Sequence, residues 1–456
     1  MEHCFCQINT QDGYGGAAGI CRTLHQEFRR RGLVSYALVG KRKGEAPFTF
    51  LVDNDRFGSL WTSFWMALAN KTAKYSGKVR GAQRTCEQVL PYVATPKRWL
   101  DFLSGREDFN FPGSENILRM IPEKPDIVHL HNLHGDYFDL RVLPILTKTV
   151  PTVLTMHDLW MLTGHCAHPF GCDKWQRGCG ECPDLKSPPA VRKDATHFNW
   201  ERKKNLFAAS RLYVVTPSQW ALDKMELSIL RSGAALTRLI PNGIDLNIFS
   251  PGDMGEARAQ LGLPYDMKII MFAANGIRKS PFRDFKMMIE VVQRVSSMMR
   301  NEKILFLAIG EDSPPEKEGL GEIKFIPYVK DPYPLAVYYR AADVYLHAAL
   351  ADVFPTVVLE ALACGTPVVA TSVGGILEQI VDGRTGFLTP IGDAETMAHA
   401  VMELIADKQL QSYMSRSAVQ YSALHFSKQK MVDEYLSFYA EAAEDWNIFT
   451  KNLSNE

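Results

Sequence analysis

Two acidic residues, Asp352 and Glu360, flank the predicted start of a helix in the second half of the chain. Pro355 suits the first turn because it has no amide hydrogen to leave unpaired, and Gly365 suits the position just past the last turn. Free amides at a helix N-terminus, here Phe354–Val357, bind phosphate, and a carboxylate on each side could hold hydroxyl groups. The segment predicts a site for a sugar attached to a nucleoside diphosphate.

A glycine pair strengthens this prediction. The two acids alone would also fit an ordinary strand–helix–strand unit with solvated carboxylates. Gly374 and Gly375, however, follow the next predicted strand and precede another helix. Because glycine has no Cβ, backbone amides at such a turn can approach a ligand closely.

A second glycine-rich turn lies near the N-terminus, where Gly15 and Gly16 separate a predicted strand from a helix. Such a turn is weak evidence alone, since a dinucleotide site has the same form. No acid follows the second predicted strand, which ends at Val39, and this argues against the dinucleotide alternative.

A histidine, His157, ends the fourth predicted strand, and His129 and His131 end the strand before it. His157 is a candidate for contact with a ligand. The alternative is a strand-end histidine bonded to backbone. His129 and His131 fit either a core or a ligand-lining position.

Four cysteines, Cys166, Cys172, Cys179 and Cys182, are close together in the sequence. Thiolates at such spacing could bind structural zinc tetrahedrally, with His165 or His168 as reserve ligands. Disulfides and free thiols are the alternatives.

An aromatic segment from residue 61 to 84 has two interpretations. Its apolar side chains at helical spacing are Trp61, Phe64, Trp65 and Leu68, and its basic ones are Lys71, Lys74, Lys78, Arg80 and Arg84. Such a segment can lie on an anionic membrane surface, but it also fits a packed helix with a solvated basic end. The nearby Asp53-Asn54-Asp55 imitates a metal motif and is better explained as a turn.

Short apolar strands alternating with helices position these residues. Two sets of five or six strands predict two doubly wound α/β domains. Turn formers cluster at Pro241–Asp245. We expect an N-terminal domain over residues 1–248 with a Cys-rich insertion at 159–190, a donor-binding domain over 249–427, and a helical tail over 428–456.

Composition excludes several classes of protein. The chain has 456 residues with 51 basic and 51 acidic side chains, which argues against a dedicated nucleic-acid binder. Neither a secretory leader nor a stretch of transmembrane length is visible, so we expect a cytoplasmic protein, peripheral on the cytoplasmic face of the membrane if residues 61–84 contact it.

Together these motifs resemble glycosyltransferase family 4, retaining enzymes of the two-domain GT-B fold, over nearly the whole chain. The family pattern is an acid, seven residues and Glu, then an Ala-rich helix, Gly-x-Pro-Val-Val and Gly-Gly-x-x-Glu. The positions that match it are Glu360, Gly365, Pro367, Gly374, Gly375 and Glu378. Asp352 departs from it, since the family mostly has Glu there; the charge is kept on a side chain one methylene shorter.

The resemblance implies roles for the charged residues. Glu360 would bind the ribose hydroxyls and Asp352 the donor sugar. The family uses an Arg and, five residues on, a Lys to stabilise the leaving diphosphate. Arg278 and Arg283 occupy these positions, with Lys279 as an alternative. Such enzymes use no catalytic metal. The other interpretation of the segment that holds Arg278 and Arg283 is a solvated basic loop.

The resemblance also implies that Gly15 and Gly16 face the diphosphate and acceptor across a cleft, and that the C-terminal helix crosses back to the first domain. It further implies that His157 approaches the donor sugar, where we expect it to contact a sugar hydroxyl or to position the acceptor. The cysteine segment resembles that of bacterial exopolysaccharide transferases of the colanic-acid type. The expected activity is retaining transfer of a sugar from a nucleoside diphosphate to a glycan or lipid-linked glycan. The alternatives are an epimerase or sugar-phosphate synthase on this fold, or an inactive sugar-nucleotide-binding protein.

Overall fold

The computed structural model describes residues 3–13, 15–73, 93–299, 303–318 and 321–453. The chain forms two compact units. The first comprises Met1–Val215, Leu222–Arg238 and Ser437–Glu456, and the second comprises Thr216–Ala221 and Leu239–Leu436.

Each unit is built on a seven-stranded sheet. The strands of the first sheet are β1 Cys4–Gln11, β2 Val34–Lys41, β3 Thr49–Leu51, β4 Ile127–Leu130, β5 Thr152–Thr155, β6 Leu212–Thr216 and β7 Ala234–Leu239. Those of the second are β8 Lys268–Ala273, β9 Ile304–Ile309, β10 Glu316–Glu318, β11 Gly321–Ile326, β12 Val344–His347, β13 Val368–Thr371 and β14 Gly386–Thr389.

Helices connect and cover the strands. In chain order they are α1 Gly16–Arg30, α2 Leu60–Ala73, α3 Pro96–Ser104, α4 Leu143–Thr149, α5 Thr196–Ala208, α6 Gln219–Glu226, α7 Met254–Leu261, α8 Phe285–Met298, α9 Pro332–Ala341, α10 Thr356–Cys364, α11 Ile376–Gln379, α12 Ala394–Ala406, α13 Lys408–His425 and α14 Lys428–Leu453. Short 3-10 helices lie at Pro112–Arg119, Leu140–Val142, Trp160–Leu162, Lys174–Gln176 and Ile229–Gly233.

Both sheets have the doubly wound strand order that the sequence predicted. The orders are β3-β2-β1-β4-β5-β6-β7 and β10-β11-β9-β8-β12-β13-β14. In the second sheet, Ile269 and Met271 of β8 pack into one core with Leu359, whereas Ile270 and Phe272 pack into another core with Val291. Successive side chains of one strand thus enter different cores, which explains why these strands are apolar throughout.

The prediction of five or six strands per sheet was too low. The additional strands are short and lie at the sheet edges: β3 and β10. The β10 sequence is Glu-Lys-Glu, which has no apolar pattern, and it pairs antiparallel with β11. Only pairing with a neighbour makes such a segment a strand.

The expected domain limits at residues 248 and 427 stay predictions. The compact units change over at Arg238/Leu239 and, within α14, at Leu436/Ser437. From Ser437 onward α14 belongs to the first unit, where Arg211 Nη2 and Tyr213 Oη both donate to Asp445 Oδ2, at 2.6 and 2.7 Å. Its C-terminal part therefore returns to the N-terminal unit, as the sequence predicted.

Candidate functional site

The helix that contains Glu360 has the limits that its sequence predicts to within one residue. Pro355 is the residue before the first turn of α10, and no side chain of the described residues caps this N-terminus. Gly365 follows the last turn with a left-handed φ of 77°. Asn242 Nδ2 donates to Phe354 O and Gln379 Nε2 to Pro355 O, both at 3.0 Å. These bonds hold the backbone leading into the helix, while the first-turn amides at Thr356 and Val357 remain available to an anion.

Glu360 lies one turn further along α10 and is partly buried. The buried Tyr339 hydroxyl donates to Glu360 Oε2 at 3.0 Å. Burial raises the pKa of Glu360 to about 7, against the opposing effect of hydrogen bonds from Tyr339 and Thr356. Its carboxyl is therefore close to half ionised at neutral pH, and hydroxyl groups donating to it would favour the charged form.

Asp352 and Arg283 form an ion pair in front of this helix, with 2.8 Å between Arg283 Nη2 and Asp352 Oδ2. A short antiparallel bridge between Arg283 and Ala349 places the two loops side by side. Arg283 Nε and Nη1 are buried and have no hydrogen-bond partner among the described residues. Buried donors are nearly always paired in folded proteins, so this guanidinium is suited to bind an anionic ligand.

His347 is a candidate that the sequence analysis missed. It ends β12, and its Nδ1 lies 3.3 Å from Tyr345 Oη. Its Nε2 is buried without a partner in the described part of the chain and lies 4.0 Å from Asp352 Oδ2. Burial, followed by the charge of Arg283, holds the pKa of His347 well below its usual range, so the ring is neutral. Its place at the carboxyl end of a parallel strand was the available signal.

The predicted pair of arginines is not brought together. Arg278 lies against two acids instead: its guanidinium is 2.5 Å from Glu316 Oε1 and 3.4 Å from Glu311 Oε1. Lys279 is exposed. Of the three basic residues considered, only Arg283 contacts Asp352, because the bridge to Ala349 orders its end of the loop.

The glycine pair serves close packing. A Cβ on Gly374 would lie 1.8 Å from Asp352 O, and one on Gly375 would lie 1.9 Å from Val353 O. The Gly375 amide donates to Asp352 O at 3.3 Å, so this amide is not free for a ligand, contrary to our expectation. The pair brings its loop against the backbone of Asp352 and thereby positions that acid.

Glu378, the last residue of the family motif, caps a helix. Its two carboxylate oxygens accept hydrogen bonds from the amides of Gln219 and Trp220 at 2.7 and 2.8 Å. These amides lie in the first turn of α6, where a carboxylate is favourable. The role of Glu378 is therefore to hold the start of α6.

In the first unit, the glycine turn after β1 has the predicted position. Gly15 precedes α1 with a φ of 105°, which favours glycine. A Cβ would meet no atom within 4 Å at either Gly15 or Gly16. The open space beside this turn is compatible with a ligand.

His157 follows β5 and is bonded to another histidine rather than to backbone. Its Nε2 lies 2.9 Å from His131 Nδ1, and burial lowers the pKa of His157 to about 4. The next residue, Asp158, pairs with His134 at 2.8 Å. Burial opposes ionisation of Asp158, but the contact with His134 and the Trp160 amide lower its pKa to about 2.

The four cysteines predicted to bind zinc do not converge on one point in the described residues. The described residues contain no group of three or more His, Cys, Asp or Glu side chains placed to hold a metal ion. Cys179 Sγ accepts the Gly164 amide at 3.3 Å, and Cys182 Sγ lies 3.4 Å from His165 Nε2. Cys166, Cys172, Cys179 and Cys182 are all free thiols. Individual contacts within the loop, rather than one common centre, orient these side chains.

Asn54 lies in a turn, as predicted for Asp53–Asp55. Its side chain holds the backbone, since Asn54 Nδ2 donates to Tyr137 O at 3.0 Å and Oδ1 accepts the Gly113 amide at 2.9 Å. This segment therefore has a structural role.

Comparison with protein families decides which family this is. Residues 14–248 match the model described as Glycosyltransferase Family 4, and residues 268–407 match that of Glycosyl transferases group 1. The chain belongs to glycosyltransferase family 4. Its two doubly wound units are those of the GT-B fold, as predicted.

The chain is similar to other proteins over most of its length. The putative colanic acid biosynthesis glycosyl transferase WcaC of Escherichia coli K12 is 26% identical over 95% of this chain and 98% of its own length. Among solved structures, sucrose-phosphate synthase from Thermosynechococcus elongatus has a TM-score of 0.61 at 19% identity, covering 96% of this chain and 99% of that one. Anabaena HepE in complex with UDP-glucose has a TM-score of 0.59 at 15% identity, covering 95% and 99%.

No helix in the described part of this family 4 chain combines the length and apolar character needed to cross a bilayer.

Proposed function

We propose that this glycosyltransferase moves a sugar from a nucleoside diphosphate to a hydroxyl of a glycan or lipid-linked glycan, with retention at the anomeric carbon, in bacterial surface polysaccharide synthesis. The observation that carries the donor assignment is Arg283 beside Asp352, since two of its guanidinium nitrogens are buried and have no hydrogen-bond partner among the described residues. HepE, with the same fold, was solved with UDP-glucose, and WcaC is named for colanic acid biosynthesis.

The candidate site residues of the second unit each have a proposed role in donor binding. Glu360 accepts the ribose hydroxyls, and Asp352 accepts a hydroxyl of the donor sugar. The amides of the first turn of α10, with the backbone of Phe354–Val357, bind phosphate oxygens. The glycines at 374 and 375 support Asp352. In the first unit, Gly15 and Gly16 leave room for the diphosphate, and His157 accepts a sugar hydroxyl.

Bond cleavage requires positive charge on the leaving diphosphate. We assign that charge to Arg283 in place of a metal ion. Its Nε and Nη1 donors are sheltered from water and have no partner among the described residues, so they could bind the diphosphate. Arg278 and Lys279 are secondary candidates, and Arg278 would have to leave Glu311 and Glu316 first. The leaving phosphate would accept the proton of the attacking hydroxyl on the same face, which gives retention.

A panel of UDP-, GDP- and dTDP-sugars, scored for binding and for hydrolysis, tests this function. We expect one nucleotide class to bind and to be hydrolysed slowly without an acceptor, with the anomeric configuration retained. Tight binding with no turnover would favour the inactive sugar-nucleotide-binding alternative. Epimerised donor would favour the epimerase alternative, and an inverted product would contradict retention.

We also propose peripheral contact with the cytoplasmic face of the membrane through α2 and α3. Leu60, Trp61 and Phe64 of α2 are 92%, 54% and 62% exposed. Trp61 Nε1 donates to Val93 O at 2.9 Å, close to the start of α3. The exposed apolar side chains of α3 are Trp99, Leu100 and Phe102. Exposed Lys71 and Lys97 supply basic charge, whereas Lys74, Lys78, Arg80 and Arg84 lie outside the described residues.

A further inference from the structure

Six polar side chains of the first unit form one continuous hydrogen-bond chain that ends at His157. In order they are Thr155, His129, Tyr439, Gln7, His131 and His157. The joining distances along this order are 2.7, 2.6, 3.3, 2.9 and 2.9 Å. The first five side chains are buried and His157 is half-buried. Polar groups so deeply buried need hydrogen-bond partners, and these contacts supply them.

Strand register explains how the chain is assembled. Gln7 of β1 lies directly opposite His129 of β4. His131 lies two residues after His129, on the same side, and the two rings are 4.1 Å apart between centroids. Tyr439 comes from α14 and inserts its hydroxyl between Gln7 and His129. The long C-terminal helix thus contributes one link of the chain.

The Gln7 amide determines where the protons lie. Its Oε1 faces His131 Nε2, and an amide oxygen only accepts, so His131 carries its proton on Nε2. Burial holds the pKa of His131 well below its usual range, which keeps the ring neutral and leaves Nδ1 unprotonated. His157 Nε2 must therefore donate to His131 Nδ1.

The other half of the chain is consistent with this direction. Gln7 Nε2 donates to Tyr439 Oη, and the hydroxyl proton of Tyr439 can then go to His129 Nδ1, 2.6 Å away. His129 then carries its own proton on Nε2, which faces Thr155 Oγ1. If the Gln7 amide were turned round, every bond would reverse, and His157 would carry its proton on Nδ1.

We propose that Gln7, His131 and Tyr439 are positioning residues that hold His157 as the Nε2–H tautomer, so that its Nδ1 presents a lone pair to a sugar hydroxyl. Nδ1 of His157 bonds to no other side chain or backbone group in the described residues. A neutral histidine fixed in this tautomer accepts a hydrogen bond and cannot donate one at that nitrogen. The identity of the ligand rests on the proposed function, but the tautomer does not.

Nitrogen-15 NMR of protein labelled at histidine tests the tautomer without any substrate. The chain has 12 histidines, and the His157 signals are assigned by their loss in His157→Gln. We expect unprotonated Nδ1 and protonated Nε2 in the wild type at pH 7. Protonation at Nδ1, or at both nitrogens, would overturn the proposal.

Tyr439→Phe tests the hydrogen-bond chain, and Tyr213→Phe is the matched control. Tyr213 is also buried and also bonds to α14, through Asp445 at 2.7 Å, but it is not part of the hydrogen-bond chain. We expect Tyr439→Phe to give a mixture of His157 tautomers and at least a tenfold lower kcat for donor hydrolysis, with KM within twofold. The control should retain the wild-type tautomer and both constants within twofold.

Two outcomes separate the proposals. An unchanged tautomer in folded Tyr439→Phe would reject the positioning role. The expected tautomers in a wild-type protein that neither binds nor hydrolyses any nucleotide sugar would retain the hydrogen-bond chain and reject the proposed function.

Discussion

At the scale of single residues, Arg283 and Arg278 show how the same side chain can have different surroundings within one loop. Arg283 is 15% exposed in its side chain and has two buried nitrogens without a partner in the part of the chain that the structure describes, whereas Arg278 is paired with Glu311 and Glu316. The family resemblance alone could not rank them. Their surroundings lead us to expect unequal roles.

We expect Arg283→Ala to lower kcat for donor hydrolysis by about 100-fold, the usual effect of removing one donor that stabilises developing charge. Arg278→Ala should change it by less than about fivefold, because its surface ion pairs are individually weak. Steady-state kinetics with the hydrolysed donor measures both. A larger loss for Arg278→Ala would move the diphosphate contact to that residue.

Glu360 should make nucleotide binding depend on pH. Its pKa of about 7 means that the carboxyl is largely protonated at pH 6 and largely ionised at pH 8. Ribose hydroxyls bind the ionised form, so affinity should rise with pH, by about tenfold over this range if only that form binds. Calorimetry with UDP should also register proton release near pH 7.

Glu360→Gln is the control for this pH dependence. UDP has a phosphate group that titrates near pH 6, and that contribution persists in the variant. The difference between the two profiles therefore belongs to Glu360. Parallel profiles in wild type and variant would contradict the role of this carboxyl.

At the scale of elements, a buried lysine organises the segment after His157. Lys203 of α5 is fully buried, and its Nζ donates to Glu107 Oε1, Trp160 O and Thr163 O at 2.8, 2.9 and 3.1 Å. One ammonium group thus fixes both ends of the 3-10 helix that begins three residues after His157. Sequence periodicity cannot identify such a contact, because Lys203 follows another basic residue in a polar helix.

We expect Lys203→Met to lower the free energy of unfolding by about 3–5 kcal/mol, since Glu107 would be left as an unpaired buried charge. Lys204→Met is the matched control, because Lys204 is about half exposed and its ion pair with Glu201 is long, at 3.7 Å. Urea unfolding followed by tryptophan fluorescence measures both. Equal stability of the two variants would refute the structural importance of this contact.

At the scale of the whole molecule, α2 and α3 both present exposed apolar side chains, and we propose that these contact the membrane. We expect binding to vesicles containing anionic phospholipid that exceeds binding to purely zwitterionic ones, because each nearby basic residue contributes about 1 kcal/mol at an anionic surface. High salt should weaken it.

Vesicle sedimentation checks this prediction. Trp61→Ala/Phe64→Ala should reduce the bound fraction at least fivefold. Tyr333→Ala is the control, because Tyr333 is an aromatic residue with 64% exposure that belongs to α9 of the other unit. Equal loss in the control, or equal binding to both kinds of vesicle, would argue against the proposed membrane face.

Much of the fold could be predicted because its signals are local. Apolar runs predicted most strands, and Pro355 and Gly365 correctly predicted the limits of α10. Edge strands were missed, since the Glu-Lys-Glu of β10 becomes a strand only through pairing with β11.

The sequence by itself determined the family, the two doubly wound units and the residue types of the donor site, because strand and helix patterns and short motifs are written in neighbouring residues. Tertiary structure alone decided which charges meet. It paired Arg283 with Asp352, directed Arg278 elsewhere, and linked Gln7 to Tyr439 across 432 positions. Such contacts depend on how distant strands and helices are brought side by side, and no local pattern records that.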